Sequence, residues 1–312
     1  MSTSLRDIQH SSALDPAYAA GCAHIDGRFV PIDEARIPIT DTGFTRCDCT
    51  YDVVATWHGR FFRLDDHLAR FERSWRALRL KPPLGRAAIR AVLIECVRRS
   101  GLKDAYVEMI VTRGSPPPGD RDPRNFKHRF YAFAVPYVWL VKPDDQLRGS
   151  HLVIAREVVR IDQHAVDPTV KNFHWGDLTR GLFEAFERAA DTVVLLNAAG
   201  EVTEGPGFNL FAVSAGRLWT PASGVLLGIT RDTVIQLAAR AGIATTVAMF
   251  GAEHLLAAEE IFLTSTAGGV MPVTRLDGQP VGNGQPGAIT LALRQAYWDA
   301  HHEPHWTTPV LL

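Results

Sequence analysis

Apolar residues recur with two different periods along the chain, and this pattern predicts both helices and strands. Residues 51–64 alternate in the manner of a β-hairpin and turn at His58 and Gly59. Residues 65–80 follow with apolar side chains at helical spacing, and an aspartate is expected to cap the start of this helix. The positions that define its apolar face are Leu64, Leu68, Phe71, Trp75 and Leu78.

A second helix is predicted over 85–101, where a glycine ends it. Strand patterns at 105–113 and 129–139 are separated by 114–127, a long segment rich in proline, glycine and charged residues. Long loops within compact domains often cover or form binding sites. We therefore expect this loop to border a functional site.

The second half of the chain mixes shorter elements. We expect a strand over 151–157, a helix over 177–190 with Asp177 as its N-cap, strands over 192–197 and 201–213, a helix opening at 230 and a terminal helix near 286–302. Strands and helices are mixed without the regular alternation of a doubly wound sheet. The predicted fold class is therefore α+β.

A polar connector interrupts the pattern near residue 140 and marks a domain boundary. We predict an N-terminal α/β domain over 1–141, an interdomain connector over 142–149 and a larger C-terminal domain over 150–312. A length of 312 residues is consistent with two domains.

Composition and charge exclude several classes of partner. Lys and Arg number 33 against 34 Asp and Glu, which gives a formal net charge of −1 and no basic block to attract nucleic acid or an anionic membrane. Four cysteines are too few for a disulfide framework, so a reduced, cytoplasmic location is expected. The first twenty residues lack the apolar core of a secretory signal, and no apolar run approaches the length of a membrane span. Cys47 and Cys49 have no second ligand pair at suitable spacing, so no metal site is expected.

One lysine stands in apolar surroundings. Lys171 lies in the segment PTVKNFHWGDLTRG, at 168–181, close to Val170, Phe173 and Trp175. It could be a strand-end lysine whose ammonium reaches water past its neighbours. It could equally be a buried amine that acts as a nucleophile or Schiff-base donor. This segment alone does not distinguish the two.

Four further features each have an ordinary structural explanation and a functional one. Glu204 enters an apolar strand and either caps a turn or meets a partner group. The helix start at Ile229 and Thr230 either has a threonine cap or binds a phosphate, and Arg70 is either a solvated helix residue or a phosphate ligand. The hydroxyl- and glycine-rich run 264–273 is either a turn or an anion-binding nest. Together with a lysine, these are the groups that would hold pyridoxal phosphate.

Several motifs in this order resemble the fold type IV pyridoxal-phosphate transaminases, the family of branched-chain and D-amino-acid aminotransferases. The resemblance covers about residues 20–300 and is carried by VKNFHWGDLTRG at 170–181, TEGPGFNLF at 203–211, GVLLGITRDTV at 224–234 and STAGGVMPV at 265–273. Three further segments are most similar in sequence to the (R)-selective amine transaminases. They are EARIPITDTGF at 34–44, TYDVV at 50–54 and FFRLDDHLARF at 61–71. The resemblance implies a homodimer of two-domain subunits, each with a C-terminal pseudo-barrel that binds pyridoxal 5'-phosphate.

The resemblance also implies roles for individual residues. Lys171 would form the Schiff base with the cofactor and then transfer protons, Glu204 would hydrogen-bond the pyridine nitrogen, and Leu226 would pack on the ring. The phosphate ligands would be Arg70, Ile229, Thr230, Ser265 and Thr266.

The substrate pockets would be lined by Tyr51, Val53 and Trp175, again by resemblance. Arg121 or Arg124 of the 114–127 loop would bind a substrate carboxylate. The chain departs from the (R)-amine pattern at Arg46, where that branch has a histidine. Arg46 would either enter the pocket and favour an acid substrate, or point to solvent or pair with an acid such as Asp48.

The implied activity is transfer of an amino group from a primary (R)-amine or D-amino acid to an α-keto acid such as pyruvate. The alternatives on the same scaffold are a branched-chain L-amino-acid transaminase and an enzyme similar to aminodeoxychorismate lyase. The expected partners are small amines and keto acids, with no nucleic acid and no membrane.

Overall fold

The computed structural model describes residues 15–310. The first fourteen residues, which form most of the N-terminal segment without the apolar core of a secretory signal, lie outside that range. The first part of the chain forms strands β1 (Cys22–Ile25), β2 (Arg28–Pro31), β3 (Cys49–Trp57), β4 (Arg60–Phe62), β5 (Ala105–Ser115) and β6 (Lys127–Pro136), with helices α1 (Thr42–Arg46), α2 (Leu64–Ala77) and α3 (Arg86–Ser100). The predicted hairpin is confirmed: β3 pairs with β4 across a turn at His58 and Gly59, both at positive φ.

Helices α2 and α3 cover one face of this first sheet and bury its apolar side chains. Phe61, Leu68, Phe71 and Leu93 belong to the resulting core and are essentially inaccessible to solvent. This burial is the dominant favourable term that holds the helices to the sheet.

The start of α2 differs from the sequence prediction. Its N-cap is Arg63, which adopts a left-handed conformation with φ 54° and makes no side-chain cap, whereas Asp65 and Asp66 lie in the first turn. The expected aspartate cap is therefore wrong. The two carboxylates instead favour the helix through the positive end of its dipole.

The second part of the chain forms strands β7 (Ser150–Val159), β8 (Thr192–Leu196), β9 (Asn209–Ser214), β10 (Arg217–Thr220), β11 (Thr245–Val247), β12 (Glu260–Ser265), β13 (Gly269–Leu276) and β14 (Gln279–Pro280), with helices α4 (Pro143–Arg148), α5 (Gly176–Glu187), α6 (Ile229–Arg240), α7 (Ala252–Leu256) and α8 (Ala288–Ala300). Seven of these strands follow the order β11-β10-β9-β12-β13-β7-β8, and β14 pairs with β13 at the side. The pairs β7–β8, β7–β13 and β10–β11 are parallel and the others are antiparallel. The predicted α+β class is confirmed.

The final strand, β15 (Thr307–Pro309), returns to the first sheet and pairs with β4. The first sheet accordingly has the order β15-β4-β3-β5-β6-β1-β2, with antiparallel pairing throughout. The two sheets are separated in sequence by the segment between β6 and β7, which contains α4. The division into domains at 1–141, 142–149 and 150–312 stays a prediction.

Two helices in the second part of the chain also begin differently from the sequence prediction. Helix α5 begins at Gly176 after Trp175, and Asp177 lies one position inside it. Helix α6 begins at Ile229 after Gly228, so Thr230 is not its cap. Within residues 15–310, no helix is long and apolar enough to cross a membrane.

Candidate active site

A cavity of about 570 Å³ lies where the two sheets meet, and residues from both contribute to its walls. The sequence-predicted site residues that line it are Tyr51, Val53, Arg70, Lys171, Trp175, Glu204, Leu226, Ile229, Thr230, Ser265 and Thr266. Segments that are far apart in sequence therefore meet around one space. Largely apolar walls with a few convergent polar groups are typical of small-molecule sites.

Lys171 lies in the irregular segment between β7 and α5, and its backbone is tied to the first sheet. Its carbonyl accepts hydrogen bonds from the Tyr51 N–H at 3.1 Å and from the Thr50 hydroxyl at 2.6 Å. Its ammonium lies 4.4 Å from the centre of the Tyr51 ring, which is itself stacked on Phe173 at 4.2 Å. These contacts direct the amine into the cavity.

Arg70 projects from α2 and is held by a fully buried carboxylate. Its Nε and one terminal nitrogen donate to the two oxygens of Asp52, each at 2.7 Å, and its other terminal nitrogen donates to the Leu227 carbonyl at 3.2 Å. Nδ1 of His67 and the Val53 N–H complete the shell of Asp52, each at 2.8 Å. Burial raises the pKa of Asp52, but Arg70 and His67 outweigh it and hold that pKa well below its ordinary value.

The start of α6 lines the cavity with Gly228, Ile229 and Thr230. The preceding loop approaches β9 so closely that a Cβ at Gly228 would lie 2.1 Å from the Asn209 side-chain oxygen. The amide of Asn209 donates to the Leu226 carbonyl at 2.8 Å and fixes this loop. A helix N-terminus presented in this way attracts anions.

Arg63 joins the starts of α2 and α6. It is buried, donates to the Thr233 hydroxyl at 2.9 Å and pairs with Asp232 at 2.8 Å. Its Nε also donates to Asp66 at 2.6 Å. The two helices that carry Arg70 and Thr230 are therefore fixed relative to each other.

Glu204 lies in a buried network of charges. One oxygen accepts from Arg160 at 2.9 Å and the other from the Leu226 N–H at 2.9 Å. Arg160 also donates to Asp177 at 2.6 Å, which explains why that aspartate is not a helix cap. Burial raises the pKa of Glu204, while Arg160 and the Leu226 N–H oppose this shift.

The end of β12 and the turn before β13 supply further polar residues to the cavity wall. The Ser265 hydroxyl accepts from the Ala267 N–H at 3.2 Å, and the Thr266 carbonyl accepts from the Tyr137 hydroxyl at 2.7 Å. The side-chain oxygen of Thr264 is buried and has no hydrogen-bond partner within the described residues. The end of β12 and the turn after it therefore line the cavity with hydroxyl side chains, one of which has no partner among the described residues.

The remaining walls are apolar and aromatic. They include Tyr51, Val53, Tyr106, Phe133, Val135, Val138, Trp139 and Leu140. Of the residues that the structure describes, the arginines and lysines lining the cavity are Arg70, Arg160 and Lys171. Both arginines already pair with buried carboxylates.

Three predicted substrate residues do not line this cavity. Arg46 is exposed on α1, and Asp48, its possible partner, instead accepts from Arg113 at 2.6 Å. Arg121 is exposed, and Arg124 is exposed and pairs with Asp122 in the same loop. The geometry of this chain alone does not bring these cations to the cavity, so their role as substrate ligands stays a prediction.

Sequence reasoning missed Asp52, Arg160 and Asn209. For Asp52 there was a usable signal, since a carboxylate inside the apolar strand TYDVVATW requires a buried partner. Arg160 follows an apolar strand in the same way. For Asn209 nothing local distinguishes the residue, because its role depends on a loop that approaches from elsewhere.

The donor set is suited to a phosphorylated aldehyde that carries a ring nitrogen. Arg70 and the start of α6 offer cationic and N–H donors to a phosphate, Lys171 offers a primary amine to a carbonyl, and Glu204 offers a carboxylate to the nitrogen. The residues present therefore fit pyridoxal 5'-phosphate.

Comparisons with known proteins agree with this chemistry. Residues 50–276 match the family model of amino-transferase class IV. A putative branched-chain-amino-acid aminotransferase of Methanocaldococcus jannaschii is 32% identical over 281 residues, which cover 88% of this chain and 95% of that protein. A D-alanine aminotransferase of Listeria monocytogenes is 30% identical over 291 residues, which cover 88% of this chain and 93% of that protein.

Solved structures of branched-chain aminotransferases are similar over nearly their full length. The enzyme from the archaeon Thermoproteus uzoniensis, solved with norvaline, has a TM-score of 0.84 and 29% identity and covers 93% of this chain and 99% of that chain. Another branched-chain amino acid aminotransferase, from T.th., has a TM-score of 0.86 and 28% identity with the same coverage, and its complex contains N-(5'-phosphopyridoxyl)-L-glutamate. The family match, the relatives and this fold agree on one enzyme class, and pyridoxal 5'-phosphate is its cofactor. The chain therefore belongs to the class IV aminotransferases and is a pyridoxal-phosphate-dependent transaminase.

Proposed function

We propose that the enzyme transfers the amino group of a primary (R)-amine or a D-amino acid to an α-keto acid such as pyruvate. The observation that carries this proposal is the apolar, aromatic wall beside Lys171. Among the described residues, both arginines that line the cavity are already paired, Arg70 with Asp52 and Arg160 with Glu204. An amine with an aryl or alkyl substituent matches such a wall directly, and a D-amino acid matches it once its carboxylate has a counter-charge.

Lys171 is the proposed catalytic residue. Its Nζ would hold the cofactor covalently and, once free, would accept and return the proton that moves during amino transfer. When bound, pyridoxal phosphate supplies an electron-withdrawing ring that stabilises negative charge at the donor carbon. The contacts of the Lys171 backbone to β3 keep this amine at a fixed place in the cavity.

The other proposed cofactor residues bind and orient. Glu204 would accept a hydrogen bond from the protonated ring nitrogen, and Leu226 would pack against the ring. The phosphate would be held by Arg70, Ile229, Thr230, Ser265 and Thr266. An ion pair holds Arg70 and Glu204 in place at the two ends of the site. Asp52 pairs with Arg70, and Arg160 pairs with Glu204.

Tyr51, Val53 and Trp175 form the proposed walls of the substrate space. We further propose that the enzyme is a cytoplasmic homodimer of two-domain subunits, and that a partner subunit completes the cavity. In that arrangement Arg46, Arg121 or Arg124 would meet a substrate carboxylate. The keto acid acceptor requires such a cation, because a carboxylate in an apolar site needs a counter-charge.

A branched-chain L-amino-acid transaminase is the second candidate function. It is supported by the 32% identity to the relative that carries that name in Methanocaldococcus jannaschii. The same apolar wall would accept a branched aliphatic side chain. The two candidate functions differ in the configuration of the donor and in whether the donor must carry a carboxylate.

A donor screen separates these candidates. Purified holoenzyme is mixed with (R)- or (S)-1-phenylethylamine, D- or L-alanine, or L-leucine, and conversion of the cofactor from its aldehyde to its amine form is followed by absorbance. We expect (R)-1-phenylethylamine and D-alanine to react faster than their enantiomers. Reaction with L-leucine alone would overturn the proposal in favour of the second candidate.

A further inference from the structure

Glu108 lies on the face of the first sheet that forms the floor of the cavity. On β5 it stands directly opposite Val53 of β3 and Phe133 of β6, and both of these residues line the cavity. Tyr106, two positions earlier on β5, also lines it. Because residues two apart and residues directly opposite share one face of a sheet, the Glu108 side chain is directed to the cavity floor.

The carboxyl of Glu108 is poorly compensated compared with the other buried carboxylates of the site. It is only 8% exposed, and among the described residues its hydrogen-bond partner is the Tyr106 hydroxyl, which donates at 3.1 Å. Asp52 and Glu204, in contrast, each pair with an arginine. Buried carboxylates without a hydrogen-bonded cation are rare and are concentrated at functional sites.

The charged and titratable groups around Glu108 come from three parts of the chain. They are Tyr106 on the same strand, Tyr51, Asp52 and Cys49 on β3, and Lys171 from the segment before α5. Burial raises the pKa of Glu108 to about 7, the Tyr106 hydroxyl and the Lys171 ammonium oppose this shift, and Asp52 adds to it. Burial also raises the pKa values of Tyr106 and Cys49, so both stay neutral. The charge on Glu108 therefore changes near neutral pH.

We propose that Glu108 is a specificity-determining residue that disfavours a carboxylate on the sheet side of the cavity and favours primary amines without one. This rests on the proposed function and narrows it. An ionised carboxylate between Val53 and Phe133, on the sheet face that forms the cavity floor, repels a second carboxylate bound against these residues, and the apolar walls do little to screen the repulsion. The carboxylate of a keto acid is thereby directed to the side of the cavity away from β5.

Two donors of the same shape isolate the effect of charge. D-alanine and D-alaninamide differ in whether they carry a carboxylate, and their reaction is measured with holoenzyme in single-turnover mode without an acceptor. In wild type, we expect the preference for the amide over the acid to fall about tenfold or more between about pH 8 and about pH 6, as Glu108 gains its proton. In Glu108→Gln the preference is small, and its change with pH is only that of the free donors.

Glu95→Gln is the matched control variant. Glu95 has the same exposed fraction of 8% but lies on α3 away from the cavity, where it pairs with Arg98 and Arg99. This control is expected to keep the wild-type preference even if it is less stable. Binding of 4-methylvaleric acid, an unreactive carboxylate, gives a second readout by calorimetry: Glu108→Gln should bind it several-fold more tightly than wild type at about pH 8.

The proposal is overturned if Glu108→Gln and wild type show the same acid-to-amide preference at both pH values. A purely structural role for Glu108 would lower stability or kcat for both donors equally and leave the preference unchanged. If only L-donors react, the proposed donor class is wrong. The pair L-leucine and L-leucinamide then tests Glu108 in the same way.

Discussion

Replacing Asp52 by asparagine removes the counter-charge of Arg70 while preserving the size of the side chain. Asp52 is fully buried, and Arg70 is 4% exposed. The wild-type carboxylate accepts two hydrogen bonds from Arg70, each at 2.7 Å, and its Oδ1 lies 2.8 Å from Nδ1 of His67. An asparagine carries no negative charge and presents one oxygen instead of two, so the guanidinium stays buried without compensation.

The expected cost is large because both partners are shielded from water. Removing one member of a buried ion pair typically costs about 3–5 kcal/mol. Asp52 also fixes the direction of Arg70, a proposed phosphate ligand, and a misdirected guanidinium loses a charge-assisted hydrogen bond that contributes about 1.5–3 kcal/mol. We therefore expect Asp52→Asn to lower the free energy of unfolding by about 3 kcal/mol or more and to weaken cofactor binding at least about tenfold.

Urea unfolding of the apoenzyme and titration with pyridoxal phosphate measure the two effects separately. Glu72→Gln in the same helix is the control, because Glu72 pairs with Arg76 at 2.5 Å but Arg76 is 73% exposed. Such an exposed pair is worth about 0–1 kcal/mol. The control should therefore change neither stability nor cofactor affinity by a large amount.

The double variant Asp52→Asn with Arg70→Gln provides the decisive comparison. If the two charges compensate each other, the double variant loses clearly less stability than the sum of the two single variants. Additive losses would refute the reasoning, since they would mean that the two side chains stabilise the fold independently.

Two further predictions follow from other buried groups. Arg160→Met leaves Glu204 without its cation, so the pKa of Glu204 rises further. We expect kcat to fall at least about tenfold with little change in the KM for the donor. An unchanged kcat would contradict the role assigned to this pair. His301 is buried against Phe62, and burial lowers its pKa from 6.5 to about 4. The folded state therefore favours the neutral imidazole, and its contribution to the unfolding free energy is full above the unfolded pKa of 6.5 and is lost as the pH falls toward about 4. Compared with His301→Phe, wild type should lose roughly 3 kcal/mol more in unfolding free energy over that window, and parallel pH curves would refute this.

The sequence identified the parts of the site whose signal is local. Lys171, Glu204 and the start of α6 lie within short motifs that a single sequence displays, and the family that they indicated is confirmed. The (R)-amine subtype stays a prediction. A motif identifies the reaction because the chemistry requires those groups, while the donor depends on walls assembled from several strands.

The parts that sequence reasoning missed depend on contacts between distant segments. Arg160 and Glu204 are 44 positions apart. The local pattern predicts Asp177 as a helix cap, but its partner Arg160 comes from a distant part of the sequence. Asp48 is close to Arg46 in sequence, yet Arg113 from β5 pairs with it instead. Short-range rules assign a polar side chain to the nearest available role, and tertiary partners override that role.

The return of β15 to the first sheet has a consequence for how the protein is made. Arg60 in β4 donates to the Thr307 hydroxyl, 247 positions later in the chain. While the chain emerges from the ribosome, β4 is an open edge strand with unpaired backbone groups until Thr307–Pro309 appear. Truncation before residue 307 would leave that edge permanently exposed. Shortened chains should therefore aggregate even though every residue lining the cavity is present.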